Sequence, residues 1–384
     1  MTKLLYDLLF AQPLGGAKFH GGGEYMKTVF KELTGEDNDE VQLCVCYDQD
    51  AFLDDWIKKI LDEKNIPVYP VKNTRDVEAV LLEKGPFDVF YTGMPYQYSR
   101  GFAEKSSSVK KCTFHGLRAV ECPHDRYEAL YLDSTKERTR EQIRAFLKDT
   151  RWGYERSSKI AMEEYRNCLS SFDEVVCVSK HTRYSMKVCY PEIKTTVFYS
   201  PAKETDAYEP EIAAGDYILI VSGNRWIKNS YRALLALSDL YRKGGVLSGV
   251  RTVVTGSVNE RIRSQFQDLK QIEFLDYVGT KELEDLYAGC RIFLYPTLNE
   301  GFGYPPIEAM HYGKTCIVSG VCSVPELCGS AVYYVNPYDV REIENRILQA
   351  LDHPIPGDKV QEQYRIVHTK QRQDLKELCR FIVA

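Results

Sequence analysis

Two glutamates, Glu300 and Glu308, flank the segment Gly301-Phe302-Gly303-Tyr304-Pro305-Pro306-Ile307. An ionised carboxylate only accepts hydrogen bonds, which suits it to the hydroxyls of a sugar or a ribose. Gly301 and Gly303 lack a Cβ and let the backbone approach a ligand closely, while Pro305 and Pro306 suit the first turn of a helix, where an N–H is not needed. A helix start favours an anion through its dipole and amide groups. Carboxylates on both sides of an anion-friendly turn fit a molecule with hydroxyls at both ends of a diphosphate, a nucleotide sugar. The bland alternative is an exposed turn leading into a solvated helix face, since glutamate is common on both; the glycines and prolines between the glutamates weigh against it. The run Ile292-Phe293-Leu294-Tyr295 just upstream has the length and composition of a buried parallel strand, so strand, loop and helix start follow in order.

Other groups are weaker on their own. Gly21-Gly22-Gly23 precedes a helix expected from about Glu24, but lacks the G-x-x-x-x-G-K-[ST] pattern of a P-loop and by itself reads as a flexible loop. Arg225 and Lys228 follow a strand ending in Ser222-Gly223; alone, the pair reads equally as exposed basic residues in a helix-capping loop. His115 sits between a strand end and Gly116, where a lone histidine is more often structural. Cys112, His115, Cys122 and His124 lie close in sequence, yet C-x2-H-x6-C-x-H matches no standard zinc spacing. No metal or other cofactor is expected.

The elements that must position these residues alternate strand and helix, the pattern of doubly wound α/β domains. Strands are expected at Lys3 to Phe10, Val41–Tyr47, Val68–Val71, Phe87–Thr92, Lys111–Phe114, Glu174–Ser179 and Thr195–Tyr199. A second series comprises Tyr217–Ser222, Thr252–Thr255, Glu273–Tyr277, Arg291–Tyr295, Thr315–Ser319 and Val332–Val335. Met26, Val29, Phe30 and Leu33 recur at helical spacing, as do Leu234, Leu237 and Tyr241. The polar stretch Ser200–Gly215, with Pro201, Lys203, Glu204, Asp206 and Pro210, marks a linker. The expected plan is an N-terminal domain over 1–200, a linker over 201–215, a C-terminal domain over 216–358 and a terminal helix over 359–384. A helix-prone segment between Asp133 and Asn167 carries nine Lys/Arg against six acidic residues from Lys136 to Arg166, a solvated face or one turned to anionic lipid or a charged acceptor.

Composition bounds the rest. At 384 residues the chain exceeds the roughly 250–300 at which single cores stop growing. Its net charge of −5 argues against a general nucleic-acid binder and leaves room for a local basic face. The 27 tyrosines suit half-buried packing, with some available to a sugar face. Twelve scattered cysteines and a start without an apolar leader core read as a reduced, cytoplasmic protein. No window has the roughly 20 apolar residues of a membrane span, so any membrane contact is peripheral, at the inner face.

From about Tyr217 to Pro337 the sequence resembles the nucleotide-binding half of retaining GT-B glycosyltransferases of glycosyltransferase family 4. The blocks that carry this are Ile220 to Asn229, Val253-Val254-Thr255-Gly256, Tyr277-Val278-Gly279, the two-glutamate segment, Ser323 to Ala331 and Val335-Asn336-Pro337. The N-terminal half matches more loosely, through Gly21-Gly22-Gly23 and Phe114-His115-Gly116. The resemblance implies two Rossmann-like domains facing each other across a cleft, with the terminal helix returning to the first. It implies a metal-independent hexosyltransferase that moves a sugar, with retention by front-face attack, from a nucleotide diphosphate sugar to a glycan, lipid-linked or protein acceptor in glycan or polysaccharide biosynthesis. It assigns the diphosphate to Arg225 and Lys228, with Gly22 and Gly23 closing over it. The donor falls to Glu300, Gly301, Phe302, Gly303 and Glu308, and a place near the anomeric carbon to His115. A GT-B-shaped epimerase or phosphorylase, or a non-catalytic glycan-binding subunit, shares the two-domain plan; the intact Lys228, His115, Glu300 and Glu308 favour the transferase.

Overall fold

The computed structural model describes residues 1–14, 20–35, 41–148, 150–202, 215–245, 247 and 249–384. The chain divides into two compact units. The N-terminal unit holds Met1–Leu117, Ile160–Glu204 and His368–Ala384; the C-terminal unit holds Arg118–Lys159 and Thr205–Val367.

The N-terminal unit is built on strands β1 (Thr2–Asp7), β2 (Val41–Tyr47), β3 (Val68–Pro70), β4 (Val89–Thr92), β5 (Val109–Phe114), β6 (Glu174–Cys177) and β7 (Thr195–Val197). They form a seven-stranded parallel sheet in the order β3-β2-β1-β4-β5-β6-β7. The first strand ends at Asp7, short of the expected Phe10, because the Asp7 carboxylate accepts the Leu9 N–H at 2.8 Å and turns the chain into a 3-10 turn over Leu9–Ala11. Tyrosines expected at half-buried positions include several that are fully buried, such as Tyr6 and Tyr91. Each keeps a partner for its hydroxyl: Tyr6 donates to the Met26 carbonyl at 2.6 Å, and Tyr91 pairs with Thr113 at 2.7 Å.

The C-terminal unit carries β8 (Tyr217–Ile220), β9 (Arg251–Val254), β10 (Ile272–Phe274), β11 (Ile292–Tyr295), β12 (Thr315–Ser319) and β13 (Tyr333–Val335). These form a six-stranded parallel sheet in the order β10-β9-β8-β11-β12-β13. Helices Ser230–Lys243 and Val340–Asp352 bury Leu234, Leu237, Ile343 and Ile347 against Ile218, Ile292, Leu294 and Ile317 of the sheet. Burial on both faces explains why these strands read as unbroken apolar runs. In each sheet the strand order reverses between the first and fourth strands of the unit, β1 and β4 or β8 and β11. In open α/β sheets ligands bind beyond the carboxyl ends of such a pair.

The division differs from the expected boundary at residue 200 in one large respect: Arg118–Lys159 belongs to the C-terminal unit. Side chains tie it there. Asp125 accepts two hydrogen bonds from the Arg232 guanidinium, at 3.1 and 2.7 Å, with both residues buried. The Tyr131 hydroxyl pairs with Ser230 at 2.9 Å and accepts the Tyr231 N–H at 3.1 Å, and Asn259 donates to the Leu130 carbonyl at 2.8 Å. Tyr127, Leu130 and Tyr131 pack on the apolar core of the unit. The linker expected over 201–215 lies mostly outside the described residues, with Lys203, Glu204, Asp206 and Pro210 among those left out. Helix Gly357–Val383 ends within the N-terminal unit, where Gln371 donates to the Ser200 carbonyl at 2.7 Å and Asp374 accepts the Tyr199 N–H at 2.8 Å.

Candidate functional site

The strand β8 delivers the Lys228 loop. After Ile220 the chain takes a positive φ of 56° at Ser222 and passes Gly223, where a Cβ would sit 2.7 Å from Val254 and Val258 side-chain carbons. A 3-10 turn over Trp226–Lys228 follows, then Asn229 in the left-handed region at φ 60°, which starts helix Ser230–Lys243. A left-handed asparagine is tolerated when its side chain is held. Here the Asn229 amide donates to the carbonyls of Pro296 and Pro337 at 2.8 and 2.7 Å, and its oxygen accepts from Arg232 at 2.8 Å. The backbone of Ile227 accepts from Leu298 N–H at 2.8 Å and from Thr297 at 3.1 Å. These bonds join the loop after β8 to the loop after β11.

They bring Lys228 onto Glu300. The Lys228 ammonium donates to Glu300 Oε1 at 2.5 Å, and the same oxygen accepts from the hydroxyls of Tyr295 at 2.6 Å and Thr297 at 3.1 Å. Both charged residues are buried, at 8% and 9% exposure. Burial alone would raise the Glu300 carboxyl, but the Lys228 charge and the three donors outweigh it and hold the group below its usual range. Burial lowers the Lys228 ammonium; Glu300 offsets part of this, while Arg225 and Arg118 push it further down. The two directions favour different states of the pair. We take the ionised one, because three donors converging on a single oxygen suit a carboxylate. Among the described residues, Glu300 Oε2 accepts no hydrogen bond, which leaves an acceptor for a ligand hydroxyl.

The rest of the two-glutamate segment folds as strand, loop and helix. Ser323 donates to the Glu300 and Phe302 carbonyls at 3.1 and 2.5 Å, fixing the loop. Gly303, at φ 108°, precedes helix Tyr304–His311, with Pro305 and Pro306 in its first turn. Since those prolines carry no N–H, anion attraction at this helix start comes from its dipole and the nearby cations more than from first-turn amides. Phe302 is buried with its ring edge-on to Tyr304, so it packs the loop. Glu308 is half-buried and accepts from Tyr287 at 2.9 Å. Arg225 is exposed and, among the described residues, makes no ion pair; the same holds for Arg118.

Sequence reasoning missed Arg118, Tyr295, Thr297, Asn299 and Glu121. Asn299 donates to Glu121 at 2.7 Å and to the Cys322 sulfur at 3.1 Å, which ties the residue before Glu300 to the segment after His115. No local signal marks residues 118–121 as part of the C-terminal unit. Tyr295 and Thr297 could have been found, since β11 runs directly into Glu300.

His115 and the glycine triplet lie in the N-terminal unit. His115 follows directly on β5; its Nε2 lies 2.8 Å from the Gly93 carbonyl, and its ring meets Tyr25 edge-on at 4.9 Å. A carbonyl only accepts, so Nε2 carries the proton and Nδ1 is a bare acceptor. Burial, against the Gly93 hydrogen bond and helped by His20, lowers the ring pKa to about 4, so it is neutral at physiological pH. The glycine triplet departs from the expected loop: Gly21, Gly22 and Gly23 are the first turn of helix Gly21–Leu33, capped by His20, whose Nδ1 accepts the Gly23 N–H at 3.1 Å. Close packing accounts for Gly23, where a Cβ would stand 3.0 Å from the His20 ring and 3.2 Å from the Ala11 carbonyl. At Gly22 a Cβ would meet the flexible Met94 sulfur at 2.1 Å. The four residues with near-zinc spacing are split between units, Cys112 and His115 in one, Cys122 and His124 in the other. Cys112 is fully buried within β5 and its thiol is pushed well up by burial. Among the described cysteines none forms a disulfide.

Residues 203–368 match the family model described as Glycosyl transferases group 1. That match spans less than half of the chain. Among curated proteins the chain is 29% identical over 247 residues to O-antigen chain mannosyltransferase B of Escherichia coli, covering 62% of this chain and 60% of that protein. It is 29% identical over 142 residues to human alpha-1,3/1,6-mannosyltransferase ALG2, covering 32% and 33%. The chain thus spans 60% of the length of the first of these relatives. Among solved structures it is similar to sucrose-phosphate synthase from Thermosynechococcus elongatus, with a TM-score of 0.67 at 13% identity over 100% of this chain and 99% of that one. It is also similar to Anabaena HepE in complex with UDP and glucose, at 0.66 and 14% over 100% and 99%. The fold is α/β of GT-B type with two Rossmann-like units.

Proposed function

We propose that the protein is a retaining, metal-independent glycosyltransferase that takes a sugar from a nucleotide diphosphate sugar held by its C-terminal unit. The observation that carries this reading is the buried Lys228–Glu300 pair at the carboxyl ends of β8 and β11, with one Glu300 oxygen left to accept. Glu308, steadied by Tyr287, receives the ribose hydroxyls, and Glu300 Oε2 a hydroxyl of the transferred sugar. The remaining ammonium protons of Lys228, with Arg225 and Arg118 adding positive potential, stabilise the charge that develops on the departing diphosphate. An acceptor hydroxyl then attacks the anomeric carbon on the face the diphosphate leaves, and a diphosphate oxygen takes its proton. No divalent ion is needed where fixed cations carry that charge. Neutral His115 supports the reacting complex as an acceptor through Nδ1, and the dipole of the helix that starts at Gly21-Gly22-Gly23 favours the anion.

The curated relatives named as mannosyltransferases of O-antigen chains make a mannosyl donor and a growing glycan, free or lipid-linked, the first pair to try. The setting is cytoplasmic, with peripheral contact at the inner face of a membrane. The deciding experiment is a screen of nucleotide sugars for binding and slow hydrolysis, with and without chelator. Binding of one donor with release of its nucleotide diphosphate is expected; no binding by any donor would overturn the reading.

A further inference from the structure

Helix Thr135–Lys148 presents a face that no described residue of its own unit covers. Ile143, Phe146 and Leu147 are exposed, Phe146 at 73%. Lys136, Arg140, Ile143 and Leu147 follow one another at helical spacing on one face, with Thr139 and Phe146 beside them. Glu137 and Glu141 lie on a different face, where Glu141 pairs with Arg144 at 3.3 Å. Arg138, Glu141 and Ala145 make up the less exposed side, so the apolar stripe is not the side that packs. An apolar patch beside basic residues is the pattern of a helix lying in a lipid interface. No helix among the described residues is long and apolar enough to cross a membrane, so such a contact would stay at the surface.

We propose that this face docks on an anionic lipid surface, with Phe146, Ile143 and Leu147 entering the headgroup boundary and Lys136 and Arg140 meeting the lipid charge. Charge complementarity selects this occupant. In a protein of net charge −5, general attraction to anions is absent, and the positive charge is placed next to the exposed apolar side chains. A second copy packed through the same face would bring its own Lys136 and Arg140 into the contact without a carboxylate to meet them. The inference names the surface for the membrane contact in the functional reading but does not depend on donor chemistry.

Flotation of the full chain with vesicles tests it. Vesicles of phosphatidylcholine with about 30% phosphatidylglycerol should carry the protein, pure phosphatidylcholine should carry far less, and added salt should release it. Phe146→Ser with Ile143→Ser should lower binding at least about tenfold, and Lys136→Glu with Arg140→Glu by more, since each basic residue near such a surface is worth roughly fivefold. All variants should bind nucleotide diphosphate like the parent, which shows that they are folded and separates this inference from the donor reading. No binding to anionic vesicles, or equal binding by parent and variants, would overturn it. A concentration-dependent dimer that the Phe146→Ser change abolishes, without vesicle binding, would show the face to be a self-contact instead.

Discussion

At the scale of single residues the two glutamates are not equivalent, and their amide variants should fail differently. Glu308→Gln keeps a partner for Tyr287 but weakens the acceptor for a ribose, so nucleotide affinity should fall while the fold holds. Glu300→Gln removes the charge that supports the Lys228 proton. Its turnover should fall, and its nucleotide binding should be lost at a lower alkaline pH than in the parent, because Lys228 then releases its proton more readily. Calorimetric titrations across pH decide this; an unchanged alkaline limb in Glu300→Gln would contradict the coupling. His115 makes a second, independent prediction. Its pKa is lowered from 6.5 to about 4 on folding, so as pH falls from about 6.5 to about 4 the unfolded chain takes up a proton first and this contribution to stability is lost. Buried Asp7 acts oppositely. Burial raises it from 3.8 to about 6, against the hydrogen bonds from Thr92 and Tyr98, so its contribution is full below about 3.8 and lost as pH rises through about 6. Each is of order 3 kcal/mol, and the two largely offset between pH 4 and 6. Removing one should expose the other: relative to the parent, His115→Gln should gain stability on going from about pH 7 to about pH 4.5, read by urea denaturation. If His115 serves the reacting complex, the same variant should bind nucleotide diphosphate normally and turn over roughly 10²-fold more slowly.

At the scale of elements, the Lys228 loop is held by a chain of contacts that starts in a distant segment. Asp125 pins Arg232, Arg232 donates to Asn229, and Asn229 fixes the kink after Lys228. Asp125→Asn should leave a buried guanidinium short of its counter-charge, at a cost of roughly 3–5 kcal/mol, and loosen nucleotide binding. Adding Arg232→Met removes the orphaned charge and should recover much of the stability but not the affinity, because Asn229 then lacks its donor; full recovery of both would show that the chain does not position Lys228. None of this was legible in the sequence, since the partners Asp125 and Arg232 stand far apart and carry no local pattern. The strands were legible because burial on both faces leaves continuous apolar runs such as Ile292–Tyr295. So was the order of the two-glutamate segment, where Gly303 needs its positive φ and the prolines start the helix. The triplet Gly21-Gly22-Gly23 misled because glycine is a poor helix former. There the His20 cap and close neighbours override propensity, and only tertiary structure reveals them.

At the scale of the whole molecule, a net charge of −5 coexists with Lys228, Arg225 and Arg118 near one site. An acidic protein that keeps a small cluster of cations, two of them without ion pairs among the described residues, has a place where a dianion is worth more than elsewhere on its surface. The cluster belongs wholly to the C-terminal unit, although Arg118 comes from the N-terminal half of the sequence. A nucleotide diphosphate should therefore bind and stabilise that unit by itself, without a divalent ion to bridge its phosphates. At about a hundred times its dissociation constant, a ligand selective for the folded state adds roughly 2.7 kcal/mol, which for a unit of this size raises the melting temperature by roughly 5–10 °C. The shift should persist in chelator and shrink with salt, and Lys228→Ala should abolish most of it. The N-terminal unit, which holds His115 and the capped glycine helix, contributes none of these cations, so His115→Gln should leave the shift intact. A shift that appears only with magnesium or manganese and vanishes with chelator would mean that a metal, rather than Lys228 and its neighbours, carries the diphosphate charge.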